Sequence, residues 1–251
     1  MNWEKKLYGA HTLPFETFAS PMVLASANLR DAFEKADRDP ISNHNEIVIL
    51  VVLFLLVVTG VRFTVHPFCF LPRVISDDLS VMYAEDKIVS AFHASRIVAL
   101  PSFAEVVLVM FSRHLRQLVS ALASESVGNL ELAAKIQALL TREISREEQI
   151  LPYFFLLNGS HHSVKLNREA MKKGLAGLID HRLKEFRPQI CQFLLRAGAP
   201  RHLVAFQMGH MKGLRPAFSR LNQLTVLEFG LVMQPFLDLY VEELGWDYEQ
   251  D

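Results

Sequence analysis

The stretch Ile47–Val61 limits more than any other what this chain can fold into. It reads Ile-Val-Ile-Leu-Val-Val-Leu-Phe-Leu-Leu-Val-Val-Thr-Gly-Val, about 15 residues without a charge, between Glu46 and Arg62. A helix that crosses a bilayer needs roughly 20 apolar residues. The run is better suited to a core helix covered on every side by its own chain and ended by Gly60 in a left-handed cap. A small membrane-associated helical protein is the reading set aside by that choice. The chain has the material for such a cover: 251 residues, 51% of them hydrophobic, suit one large domain or two small ones.

Around this run the pattern is mainly helical. Leu13-Pro14, Ser20-Pro21 and Asp39-Pro40 interrupt residues 1–45, which read as a lead-in segment with one helix over Leu24–Asp37. Leu79–Tyr83 and Arg96–Leu100 are strand-like, with Lys87–Ser95 between them as strand and turn. Ser102-Phe-Ala-Glu105 is a capping box for a helix to about Leu122, and Asn129 is placed to cap another ending near Leu140. Leu151–Leu157 is a strand or buried connector closed by Asn158-Gly159, and Asn167 caps a helix to Leu178. Thr225-Val-Leu-Glu228 opens a terminal helix to about Leu244, with a kink at Pro235. The fold class expected is α+β: a mainly helical domain with a small antiparallel sheet.

The formal net charge of −1 argues, taken alone, against nucleic acid as a partner, but the charge is segregated. From Ser163 to Asn222 there are twelve Lys or Arg against three acids, and from Gln223 onward seven acids and no Lys or Arg. A phosphate-binding face followed by an acidic tail has this pattern. Cys69 and Cys191 give neither a disulfide framework nor metal spacing, so a reducing compartment is expected, and no signal pattern opens the chain. His161-His162 lack partners for a zinc site and read as loop histidines.

The most specific chemistry lies between Arg187 and Arg220. Arg187 opens an amphipathic helix, Gly198 is placed as its C-terminal stop, Pro200 starts a short second helix, and Gly209-His210 closes that helix on a turn. Together with Thr59-Gly60-Val61-Arg62 and the strand ending in Arg-Ile-Val-Ala-Leu-Pro, this block resembles the catalytic domain of tyrosine recombinases, the phage-integrase family. The resemblance spans residues 45–222.

It implies that Arg62 and Arg187 are the two catalytic arginines, whose planar forks would hold the non-bridging oxygens of a scissile phosphodiester. His210 would stand beside them, and Lys87 near the hairpin lysine that protonates the leaving oxygen. His93, Arg96, Arg182, Arg201, Lys212 and Arg215 are the further DNA-contacting candidates. Two positions depart from the pattern. Lys184 stands where the family has a histidine, and Phe218 and Ser219 occupy the neighbourhood of the nucleophilic tyrosine. Tyr240 is the remaining downstream nucleophile candidate, and no separate N-terminal DNA-clamping domain is expected in residues 1–45.

The organisation expected is thus a lead-in over residues 1–45, a tyrosine-recombinase-type catalytic domain over 46–222, and an acidic C-terminal helix and tail over 223–251. The expected function is DNA strand cleavage and rejoining, in degenerate form. A non-catalytic DNA-binding protein on the same fold is the alternative. No metal or other cofactor is implied. The partners implied are double-stranded DNA and further copies of the chain on that DNA, in the cytoplasm, with no membrane.

Overall fold

The protein is described here by a computed structural model covering residues 13–63, 68, 81–89, 92–141, 151–179, 183–209 and 226–246. Helix α1 spans Phe15–Ala36 and helix α2 spans Pro40–Thr59. The carboxylate of Asp39 accepts from the Ser42 N–H at 3.1 Å, and Pro40 takes the first helical position, where no N–H is needed. Gly60 ends α2 at φ 63°, its N–H returning to the Leu56 carbonyl at 3.1 Å. A side chain at 60 would be strained by that φ, and its Cβ would stand 2.9 Å from both Ile190 and Met208. Ile47, Val48 and every residue from Leu50 to Val58 are buried. Burial of each is worth roughly 1.5–3 kcal/mol, against a helix-propensity penalty below about 0.7 kcal/mol for Val or Ile, so packing settles the conformation. By length and composition α2 could cross a membrane, and here protein surrounds it, as the run's even hydrophobicity leads one to expect.

Helix α1 begins at Phe15, earlier than the expected Leu24, and passes through Pro21. A proline there removes one backbone hydrogen bond. The stripe Phe18, Met22, Ala25, Leu29, Ala32, Phe33 and Ala36, all buried, outweighs that loss. Residues 15–36 therefore contribute to the core, and the boundary expected at residue 45 falls inside α2.

Strands β1 (Val81–Val89) and β2 (Phe92–Ala99) form an antiparallel hairpin with Val81 opposite Ala99 and Val89 opposite Phe92. A bulge between Glu85 and Lys87 leaves Asp86 as the extra residue. Helix α3 (Phe103–Glu125) follows, but Ser102 is not the side-chain cap that the capping box suggested. Its N–H and hydroxyl instead donate to the Asp238 carboxylate, at 2.6 and 2.9 Å, a tether to the terminal helix 136 residues away. After a single 3-10 turn, Val127–Asn129, comes α4 (Leu130–Thr141); Asn129, expected as its cap, donates to Glu125 at 2.9 Å.

A second, separate hairpin pairs β3 (Phe155–Leu157) with β4 (Ser163–Lys165), so among the described residues the strands make two small antiparallel pairs rather than one sheet. The Asn158 side chain holds its turn by accepting from the Ser160 and His162 N–H groups, at 3.0 and 2.9 Å. Asn167 caps α5 (Arg168–Gly174) as expected, accepting from Ala170 at 2.9 Å. The helix stops before Leu178, and at its last residue an added Cβ would fall 2.2 Å from Ile49 of α2. Then come a 3-10 turn (Leu183–Glu185), α6 (Phe186–Arg196), α7 (Arg201–Gln207) and α8 (Val226–Glu243), with Gly198 and Gly209 at the expected helix ends and Pro235 inside α8. Helix α8 packs on the first hairpin and on α6 and α2. The fold is mainly helical α+β.

Candidate functional site

The turn Thr59–Arg62, the end of β2, the start of α6 and the end of α7 meet at two buried polar side chains, Arg187 and Gln207. Arg187 is 6% exposed and Gln207 is 0% exposed. One guanidinium nitrogen of Arg187 donates to the Gly60 carbonyl at 3.2 Å, and the other donates to the Met208 carbonyl. Gly60 ends α2 and Met208 ends α7, so the cation lies where the partial negative charges of two helix C-termini converge. This offsets the cost of burying a group that cannot discharge itself, since arginine stays protonated in proteins.

Gln207 closes the same junction from the sheet side. Its side-chain oxygen accepts from the Ala99 N–H at 2.8 Å, and its side-chain nitrogen donates to the Ala99 carbonyl at 3.1 Å and the Thr59 carbonyl at 3.5 Å. The amide thus stands in for a neighbouring strand at the open side of β2. Thr59 completes the turn, its hydroxyl donating to the Leu55 carbonyl and accepting from the Val61 N–H at 3.3 Å. Arg62 follows at once and is exposed.

The elements singled out in the sequence are therefore brought together, but the two arginines differ. Arg62 faces solvent, whereas the Arg187 fork is directed at backbone carbonyls, and the expectation that both present bidentate forks to one phosphate is not met in this structure. Lys87 lies opposite Ala94 on the hairpin, about 17 Å along the strand from Ala99. Arg96 lies opposite Ala84, nearer to Ala99, and His93 opposite Ile88, beyond it. Lys184 lies in the 3-10 turn before α6, and Arg201 is exposed at the start of α7. Arg182, His210, Lys212, Arg215, Phe218 and Ser219 lie outside the described residues.

The structure seats Tyr240, the nucleophile candidate, in the core. Its side chain is 0% exposed, its ring packs 4.9 Å from Phe193 and 6.3 Å from Phe15, and its hydroxyl finds no hydrogen-bond partner among the described residues. Burial raises the phenol well above its usual range, so the phenolate needed for attack is disfavoured.

Sequence reasoning missed Gln207, and with it a second buried polar cluster at the opposite end of α2. His44 and His114 are 0% and 1% exposed, with His44 Nδ1 and His114 Nε2 3.0 Å apart and His44 Nε2 3.0 Å from the Phe155 carbonyl. A carbonyl only accepts, so His44 Nε2 carries the proton, and His114 Nε2–H must donate to His44 Nδ1. Both rings are neutral: burial pushes His44 down to about 3, helped by the neighbouring His114, and His114 down to about 4. His161 and His162 sit at the turn of the second hairpin, as expected of loop histidines. His161 Nδ1 is 2.7 Å from a Glu125 carboxylate oxygen. Among the described residues no group of three or more potential ligands is arranged to hold a metal. No known protein family, curated protein or solved structure matches the chain.

Proposed function

We propose that this chain binds double-stranded DNA on a recombinase-type frame from which strand cleavage has been lost. The observation that carries the reading is the junction at Arg187 and Gln207, where the Thr-Gly-Val-Arg turn, the end of the hairpin and the Met208-Gly209 turn converge from positions 59, 99 and 208. The resemblance rests on just these segments, and they are far apart in the chain. The loss of cleavage follows from three side chains. Arg187 is committed to carbonyls, Tyr240 is sealed in the core, and Phe218 has no hydroxyl. Covalent strand transfer needs a hydroxyl in line with the phosphate and within reach of its activating groups, and a misplacement of about 1 Å can cost a hundredfold. Exposed Arg62 and the basic excess between Ser163 and Asn222 supply the phosphate contacts.

Two measurements on the full chain test both halves. Gel retardation of a duplex should weaken steeply as salt rises, because each phosphate neutralised contributes about 0.9 to the slope of log affinity against log salt. No retardation at low salt, or a flat slope, overturns DNA binding. A nicked suicide duplex should yield no denaturant-stable protein–DNA adduct. An adduct would show that cleavage is retained, and its loss in Tyr240→Phe would return Tyr240 to the chemistry.

A further inference from the structure

The second half of the chain descends along α2. The Asn45 side chain donates to the Leu157 carbonyl at 2.8 Å and accepts from its N–H at 2.7 Å, fixing β3 near the N-terminal end. Gly174 of α5 lies against Ile49, and Arg187 of α6 reaches the Gly60 carbonyl at the far end. At 3.6 residues per turn, positions 45 and 49 fall about 40° apart around the helix, and the Gly60 carbonyl lies at its C-terminal cap. The second hairpin, α5 and the Arg187 junction therefore follow one another along α2, over about 22 Å at 1.5 Å per residue.

The near end of that series is basic. Between residues 163 and 179 there are four cations, Lys165, Arg168, Lys172 and Lys173, and one acid, Glu169, which pairs with Lys172 at 2.9 Å. All four are exposed, and every residue of β4 is too. Lys165 and Lys173 have no ion-pair partner among the described residues, and Arg168 shares only the field of Glu169. Exposed cations without ion-pair partners, three of them within nine residues, favour a polyanion as partner.

We propose that Lys165, Arg168 and Lys173 form a second phosphate-contacting patch, and that one DNA duplex lying along the outside of these covering elements touches both the patch and the Arg62 turn. The proposal rests on the DNA reading above and adds its second anchor. The spacing suits a duplex: with phosphates every 3.4 Å along a strand, about 22 Å corresponds to about six base-pair steps. Neither anchor reads base sequence through these contacts; they set the orientation of the duplex.

The test compares the full chain with the triple variant Lys165→Gln, Arg168→Gln, Lys173→Gln on a duplex of about 24 bp and on a hairpin with a stem of about 5 bp, too short to reach both anchors. The wild-type salt slope should be steeper on the long duplex than on the hairpin. The triple variant should lose that difference, with its long-duplex slope shallower by about 2–3, roughly 0.9 for each contact removed. The charge-conserving set Lys165→Arg, Arg168→Lys, Lys173→Arg should bind as wild type, which excludes a general effect of substitution. A triple variant with the wild-type slope on the long duplex overturns the patch and leaves the DNA reading intact. Failure of the wild-type chain to bind the long duplex overturns the DNA reading and the patch with it. Retained duplex binding with lost sedimentation on phosphatidylserine vesicles would assign the cations to an anionic lipid surface and also overturns the proposal.

Discussion

At its N-terminal end α2 buries His44 against His114, and at its C-terminal end it meets the buried Arg187. Both clusters place polar groups where water does not reach, and the same Coulomb penalty acts on each. The histidines escape it by giving up their charge, which leaves a one-directional chain from His114 through His44 to the Phe155 carbonyl. Arginine has no such exit, so the fold brings it two helix C-termini. One end of the core helix thus responds to pH and the other does not, and the insensitive end carries the proposed DNA site.

The largest expected effect tests the claim that Arg187 is held by the frame rather than available to a ligand. Arg187→Met leaves the Gly60 and Met208 carbonyls without their donor, at about 1–3 kcal/mol each, so a total loss of about 4 kcal/mol is expected in urea unfolding at pH 7. Arg187→Lys, with a single donor head for two carbonyls, should lose about half of that. A loss below about 1 kcal/mol in either variant would erase the contrast between the two ends and return Arg187 to the phosphate.

A smaller effect should come from acid. Folded His44 and His114 titrate at about 3 and about 4, below the ordinary 6.5, so between these values and 6.5 the unfolded chain binds more protons than the folded one. The stability due to the neutral pair is complete above pH 6.5 and falls as pH drops toward 4, at up to about 1.4 kcal/mol per pH unit for each ring. A loss of about 2–3 kcal/mol from pH 7 to pH 5.5 is expected, and His44→Leu should flatten that profile even though it lowers stability at pH 7. An equally steep fall in His44→Leu would place the acid sensitivity elsewhere.

The smallest effect on stability belongs to Arg62→Gln. Its side chain is exposed, and the change should leave the urea midpoint within about 0.5 kcal/mol of wild type while making the salt slope of duplex binding shallower by about 1. Equal salt slopes for Arg62→Gln and wild type would remove Arg62 from the DNA contact.

What the sequence disclosed follows the range of the interactions involved. The even hydrophobicity of Leu50–Val58, the Asn167 cap and the stops at Gly60, Gly198 and Gly209 are written in residues a few positions apart, and each was legible. Helix α1 was misjudged at Pro21 because the proline outweighed, in the local reading, a stripe from Phe18 and Met22 onward whose worth lies in burial against other elements. Ser102 looked like a cap because its partner, Asp238, is 136 residues away. At the site, the motifs marked which segments converge, yet the partners of Arg187 among the described residues are main-chain carbonyls, which every residue possesses. Gln207 sits in Val-Ala-Phe-Gln-Met-Gly, where a single amide at the end of the apolar run Leu203–Phe206 was the available clue to its burial.

The position of α2 also sets a demand on synthesis. Its covering layer comes from residues far downstream: Leu157 is 112 residues beyond Asn45, and Arg187 is 127 beyond Gly60. At roughly 5–20 residues per second, on the order of ten seconds pass between emergence of α2 from the ribosome and emergence of the helix that closes it. Throughout that interval the nascent chain displays, uncovered on the side those later elements close, a segment that meets the length and hydropathy of a membrane span. Chaperones and membrane-insertion machinery compete for such a segment, so the yield of folded protein depends on translation speed across residues 60–187 as well as on the stability of the finished core.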